Sequence, residues 1–359
     1  KSIGYKAFNK CNNLKSITIP SSVTSIAESV FVDLPSLREI SVESSNFAFV
    51  SVGNNLFTKN MEVLIRFVDC ESTSEYVIPN TVKKIGNYAF YYSRLTKITI
   101  PSSVTSIGEM AFSFCKIKEI EIPSSVQHIG KCAFSNCYEL ETCKLQANIS
   151  SLESSVFYQC FHLENITIPS SVTSIGNFAF TNCSSIHNIE IPSSVKSIGV
   201  SAFMHCMKLG HVKVFDGLSS INDDAFLNCS MLKVITLPST VVSISPTAFL
   251  SCSNLERVNV DLNNPNYCSI KGVVFSRNMK TLVLFPIGSN ESFYEVPENV
   301  LKIGDSAFYG CHNLQEISLP PNLHSIGKSA FYCTGLKSIS IPQSVISISS
   351  SAFENCPAL

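Results

Sequence analysis

Charge is scarce in this 359-residue chain, where Asp, Glu, Lys and Arg make up 15% against roughly 25% in an average soluble protein. It is also balanced, with 26 Lys plus Arg against 27 Asp plus Glu. A net charge of −1 provides no electrostatic footprint for nucleic acid or for an anionic membrane surface, and no local basic stripe restores one. Long apolar runs are missing too. None approaches the roughly 18–20 residues of a spanning helix, so the chain is not expected to insert into a membrane. The opening Lys1-Ser2-Ile3-Gly4-Tyr5 has neither an initiator Met nor the apolar core of a secretion signal, which reads as a piece of something longer. What is plentiful is apolar residues, 45%, ample for a core and too many for a disordered chain.

Length alone would allow two or three domains at about 100–200 residues each. Self-comparison replaces that expectation with a repeat. The dipeptide Ala-Phe, or Val-Phe, ends at Phe8, Phe31, Phe90, Phe112, Phe134, Phe157, Phe180, Phe203, Phe226, Phe249, Phe308, Phe331 and Phe353, with successive spacings of 22 or 23 residues outside two gaps. Each unit predicts one half-buried strand from its Ile-x-Ile alternation, as at Ile166 and Ile168. A proline such as Pro123 or Pro169 then ends the strand, because it cannot donate to a central ladder. Val-x-x-Ile, as Val172 and Ile175, predicts a second short extended piece. Ala-Phe-x-x-Cys predicts a single turn of α- or 3₁₀-helix with its Phe in a stacked spine. A small polar residue stands second after the proline, including Ser103, Ser125, Ser171, Ser194, Thr240 and Ser344, which predicts hydrogen bonds between coils.

The two gaps, residues 32–89 and 250–307, match each other without insertion: Phe57, Asn60, Leu64 and Pro79 reappear as Phe275, Asn278, Leu282 and Pro297. Asn55-Leu56-Phe57 and Val63-Leu64-Ile65 predict a hairpin around Thr58-Lys59-Asn60-Met61. Its matched residues are mostly apolar, which favours a core spacer over a protruding arm.

Leu-x-x-Ile-x-Ile-Pro-x-Ser-Val-x-x-Ile-Gly-x-x-Ala-Phe-x-x-Cys is similar to the BspA-like class of leucine-rich repeats over nearly the whole chain. The expected fold is one right-handed leucine-rich-repeat solenoid spanning 1–359, of about 15 coils of 22–23 residues, with a parallel β-sheet on one face and turns or short helical turns on the other. Both ends break within a repeat, so end-to-end self-association between molecules is conceivable. The resemblance implies a cell-surface or extracellular protein that attaches to host cells or to matrix proteins such as fibronectin and fibrinogen. The alternative is an intracellular interaction scaffold.

Fifteen cysteines raise disulfide, metal and redox chemistry. Ten of them, from Cys11 to Cys356, occupy the third position after the repeat Phe, so they follow the repeat rather than a ligand geometry and read as buried thiols. Cys132, Cys137 and Cys143 match no zinc spacing. The histidines scatter over repeat positions, Gly327-Lys328-Ser329 lacks a preceding glycine-rich loop, and the pair Asp223 and Asp224 does not recur on neighbouring coils as a β-solenoid enzyme would need. Neither catalysis nor a cofactor is expected. The positions facing outward between strand isoleucines carry the charge. Glu119, Glu121, Lys144, Glu190, His211, Lys213 and Arg257 are the candidate protein-binding residues on that face. Tyr91, Tyr92, Phe114, Tyr138, Phe161, Tyr309 and Tyr332, just after the Phe spine, form a second candidate patch. Asn148, Asn165, Asn182, Asn228 and Asn290 begin glycosylation sequons, relevant only to a secreted chain.

Overall fold

The computed structural model describes residues 1–69 and 74–359; Cys70, one of the fifteen cysteines, lies outside them. Two compact units are distinguished, one of Lys1–Val172 with Phe178–Cys183, the other of Thr173–Asn177 with Ser184–Leu359. Each is a solenoid built from the same coil, and no described residue is helical.

One coil shows why the sequence takes this path. In Glu119–Ile122 the isoleucines point inward and the glutamates outward, as the pleat requires of alternating residues. The strand lies parallel to Thr142–Leu145 in the register Glu119 to Thr142 and Glu121 to Lys144. Pro123 closes it, and its carbonyl accepts the Val126 N–H at 3.0 Å. The second extended piece, His128–Ile129, pairs with Ser106–Ile107 of the preceding coil. Gly130 then passes so close to that coil that a Cβ on it would stand 2.6 Å from the Glu109 nitrogen, which only glycine avoids.

The Ala-Phe stretch forms turns in place of the expected helical turn. Cys132 and Asn136, two residues before and after Phe134, adopt φ of 55° and 60°, and a right-handed helix cannot run through residues of that hand. The alternation turns every second N–H along the stack. Those of Cys132, Phe134 and Asn136 reach the carbonyls of Ser154, Val156 and Tyr158 on the next coil at 3.0, 2.9 and 2.7 Å. A helix would have spent the same N–H groups internally, so the turn gains a third ladder between coils.

The core is the predicted spine. In the first unit Phe67, Phe90, Phe112, Phe134, Phe157 and Phe180 stack with centroids 5.0–5.5 Å apart. In the second, Phe203, Phe226 and Phe249 repeat the arrangement, as do Phe285, Phe308, Phe331 and Phe353. Burying one such ring is worth about 1.5–3 kcal/mol. The polar row also forms: Ser103, Ser125, Ser171, Thr240 and Ser344 each donate to a carbonyl one coil back at 2.7–2.8 Å. Ser194 departs from the row, its buried hydroxyl having no partner among the described residues.

In the irregular segments Asn55–Thr58 and Val63–Arg66 pair antiparallel, as do Val273–Ser276 and Thr281–Leu284. A preceding strand not signalled in the sequence, Phe49–Val52 or Tyr267–Ile270, makes each a three-stranded meander. Leu56, Phe57, Leu64, Phe275 and Leu282 are fully buried, so the hairpins are core and not arms. One buried asparagine anchors each. Asn264 Nδ2 donates to the carbonyls of Pro238 and Val241, and its Oδ1 accepts the N–H of Asn266 and Tyr267, at 2.8–3.0 Å. Asn46 makes the corresponding four bonds.

Candidate functional site

The outward strand residues gather in two groups, one in each unit. In the first, Glu75, Lys97 and Glu119 occupy directly adjacent positions on three parallel strands, and Lys97 Nζ lies 3.8 Å from Glu75. Glu121 stands opposite Lys144 and accepts the Gln146 amide at 3.1 Å. Glu119, Glu121 and Lys144 are all exposed.

The second group is the better formed. Asn188–Ile191, His211–Val214 and Val234–Leu237 pair so that His211 adjoins Asn188 and Val234, while Lys213 adjoins Glu190. Their outward side chains floor a shallow groove of about 480 Å³. Lys213 Nζ lies 3.5 Å from Glu190, both side chains about two-thirds exposed. An ion pair in that setting contributes about 0–1 kcal/mol, so the charges are not what holds these strands together. Arg257, next to Val234 in register, is set apart from the groove's lining; its stem abuts Gly272 of the meander, where a Cβ would sit 2.8 Å away.

Sequence reasoning missed an aromatic here. Phe215 is 38% exposed, and the Lys213 ammonium lies 4.5 Å from its ring centroid. Most repeats place proline at this point, whereas Phe215-Asp216-Gly217 replaces it, so the alternation continues outward one residue further. Gly217 makes the substitution feasible: its φ is 142°, and any Cβ would collide with the Ser193 carbonyl. The missing proline was the available signal. Val234, 40% exposed, adds apolar surface beside His211.

The cysteine row resolves into one repeated contact. The thiols of Cys115, Cys137, Cys160, Cys183, Cys229 and Cys252 each donate to the carbonyl of the repeat Phe one coil back, at 2.9–3.2 Å. Burial pushes the thiols up, Cys143 and Cys252 to about 12 and Cys137, Cys160 and Cys229 well above the ordinary value of 9.0. A thiol held protonated is neither a nucleophile nor a metal ligand. No disulfide joins any of the fourteen described cysteines, and no cluster of three His, Cys, Asp or Glu able to hold a metal occurs among the described residues.

On the turn side, Tyr92, Phe114, Tyr138 and Phe161 form a continuous row in the first unit, with centroids 4.4, 6.1 and 5.4 Å apart. Tyr309 stacks on Tyr332 at 4.8 Å in the second. The second candidate patch is therefore partly packed against itself, yet Tyr92 remains 55% exposed.

Short parallel strands, a proline turn, a second strand and a Phe turn, stacked coil on coil, define a leucine-rich-repeat solenoid. Such proteins generally bind other proteins and are generally not enzymes. The family model of the BspA type leucine-rich repeat region matches residues 1–64, 65–187, 173–291 and 288–359, and the chain belongs to that family. Its members are often surface-associated. Among solved structures it is similar to a leucine-rich repeat protein from Bacteroides ovatus, with 27% identity and TM-score 0.62 over 100% of this chain and 80% of that one. A leucine-rich cell surface protein from Faecalibacterium prausnitzii is 25% identical, with TM-score 0.61 and 87% of each chain covered. A leucine-rich repeat protein from Eubacterium ventriosum is 30% identical, with TM-score 0.59 over 63% of this chain; the match spans 62% of that protein. No curated protein matches the chain. No described helix is long and apolar enough to cross a membrane.

Proposed function

We propose that this protein is a non-enzymatic adhesive scaffold at the cell surface, and that it attaches to host cells or matrix proteins such as fibronectin or fibrinogen. The observation that carries this reading is the groove of the second unit. Glu190, His211 and Lys213 display both signs of charge around Val234 and Phe215, a mixed polar and apolar surface of the kind that docks protein. Glu119, Glu121, Lys144 and Arg257 extend the same chemistry along the strands of their own units. Surface location is supported by the family and by the surface protein of Faecalibacterium prausnitzii, to which the chain is similar. The second reading, an intracellular interaction scaffold, is favoured by the buried thiols outside any disulfide, which suit a reducing compartment.

The test is surface plasmon resonance of the purified protein over immobilised fibronectin, fibrinogen and serum albumin at physiological salt. Saturable binding to a matrix protein and not to albumin is expected, with about a tenfold loss of affinity in Glu190→Gln/Lys213→Gln, given about 1.4 kcal/mol per factor of ten. Absence of binding to either matrix protein would remove adhesion and promote the intracellular scaffold.

A further inference from the structure

The coil of His211–Val214 breaks the repeat at one place, and the break falls at the end of the groove. Where Pro101, Pro123, Pro169, Pro192 and Pro238 close the strand in other coils, this one has Phe215, and Gly217 stands where Ser194 and Thr240 stand in the polar row. Loss of the proline does not by itself call for a glycine. The coil of Thr142–Leu145 has Gln146 at that position; its N–H extends the ladder to the Ile122 carbonyl at 3.0 Å, and neither Ala147 nor Asn148 takes a positive φ. Phe215 extends the ladder in the same way, to the Ile191 carbonyl at 3.1 Å, yet its turn continues into a φ of 142° at Gly217.

That turn is fixed from both neighbouring coils. On one side Gly217 passes against the Ser193 carbonyl, where a Cβ has no room. On the other, the Asp216 carboxylate accepts the Ser239 hydroxyl at 3.0 Å, the Gly217 N–H donates to Thr240 Oγ1 at 2.9 Å, and the Thr240 hydroxyl donates to the Leu218 carbonyl at 2.7 Å. A glycine in an unusual conformation and an exposed aromatic both work against folding, and a repeat protein departs from its own local rules chiefly where function requires it. What the coil gains is a ring 38% exposed on a braced turn, with the Lys213 ammonium 4.5 Å from its centroid. Lys213 also faces Glu190 at 3.5 Å, so carboxylate, cation and ring form one continuous set.

We infer that Phe215 is the apolar anchor of the groove, taking a large apolar side chain of the bound protein on its exposed surface, and that Asp216 and Gly217 are the positioning residues that present it. Binding energy at protein interfaces concentrates in a few aromatic contacts ringed by polar groups, and a ring held in place before binding loses little freedom on contact. The role of Phe215 rests on the strand-face reading and specifies the partner: Glu190 and Lys213 side by side fit a segment whose apolar side chain is flanked by charges of both signs.

The experiment is surface plasmon resonance over immobilised fibronectin and fibrinogen with Phe215→Ser, Phe215→Tyr and the triple variant Phe215→Pro/Asp216→Ser/Gly217→Ser, which restores the residues that close the preceding coil at Pro192-Ser193-Ser194. Phe215→Ser is expected to bind about tenfold more weakly than the wild type, and Phe215→Tyr within about twofold of it. The Phe215→Ser loss is expected to be the same at about 0.15 and 0.5 M salt, because an apolar contact is not screened. The triple variant is expected to lose affinity equally while melting no lower than the wild type, since it replaces the unusual glycine and installs a proline; a merely structural role would lower the melting temperature as well. Should the triple variant melt lower, Phe215→Ser decides alone, because it leaves the bonds of the turn in place. Full affinity in either variant at wild-type melting, or a Phe215→Ser loss that disappears at the higher salt, would overturn the inference and leave the strand-face reading intact. A wild-type protein that binds neither matrix protein would overturn that reading and this inference with it.

Discussion

A buried thiol that donates to a carbonyl is a very weak acid, and the pH dependence of folding follows from that. The unfolded thiols ionise near 9.0, whereas the folded Cys143 and Cys252 hold their protons to about 12. Above pH 9 the unfolded state therefore binds fewer protons than the native state, and stability falls as pH rises. The loss is about 1.4 kcal/mol per pH unit for each such thiol between pH 9 and 12, measurable as a falling urea midpoint across that window. A midpoint independent of pH there would contradict the protonated row. Cys160→Ala removes the bond to the Phe134 carbonyl and leaves a small void, an expected cost of about 1–2 kcal/mol. That carbonyl keeps the Cys137 N–H at 3.3 Å, which limits the damage. With Ellman's reagent, exposed Cys11 reacts in the native state and Cys137, Cys160 and Cys229 only on unfolding. The period of the cysteines was legible in the sequence, and so was the burial of eight of the ten in the row; Cys11 is exposed and Cys356 half-buried, each lying in the first or last coil. Their role as donors was not, since it depends on where a carbonyl of another coil points.

At the scale of the element, the repeat read correctly wherever side-chain alternation decides. Ile120 and Ile122 face in because Glu119 and Glu121 face out. The helical turn failed because left-handed residues such as Cys132 and Asn136 carry no compositional mark; asparagine tolerates that conformation, but cysteine does not advertise it. The first meander strand, Phe49–Val52, was missed for a similar reason, as its partner Asn55–Thr58 identifies it only after folding. Asn264 is the residue on which each second-segment turn converges. Asn264→Ala leaves the Val241 carbonyl and two N–H groups without their side-chain partner, while the Pro238 carbonyl keeps the Val241 N–H at 3.3 Å, and is expected to cost about 2–4 kcal/mol, read as a shift of the urea midpoint. Asn264→Asp sets a buried carboxylate oxygen against the same two carbonyls, so at neutral pH it is expected to cost at least as much as Asn264→Ala. Phe157→Ala, which opens the stack between Phe134 and Phe180, is expected to cost about 3–5 kcal/mol.

At the scale of the molecule, coils that touch only their neighbours confer stability by repetition and leave the outward residues free to vary. That division explains why the fold was legible from the period while the site was legible only in part. Glu190, His211 and Lys213 could be placed on one face from their repeat positions, but their grouping around Val234 and Phe215 needed the register.

The claim at the centre of this account is that matrix-protein recognition belongs to the outward strand residues and not to the aromatic row of the turns. Its most direct measurement is the matrix-protein affinity of two variants side by side, Glu190→Gln/Lys213→Gln on the strands and Tyr138→Ser/Phe161→Ser on the turns, each with wild-type melting behaviour. The account predicts about a tenfold weaker Kd for the strand variant and an unchanged Kd for the turn variant. The reverse pattern, binding lost with the turn residues and kept without the strand charges, would contradict it.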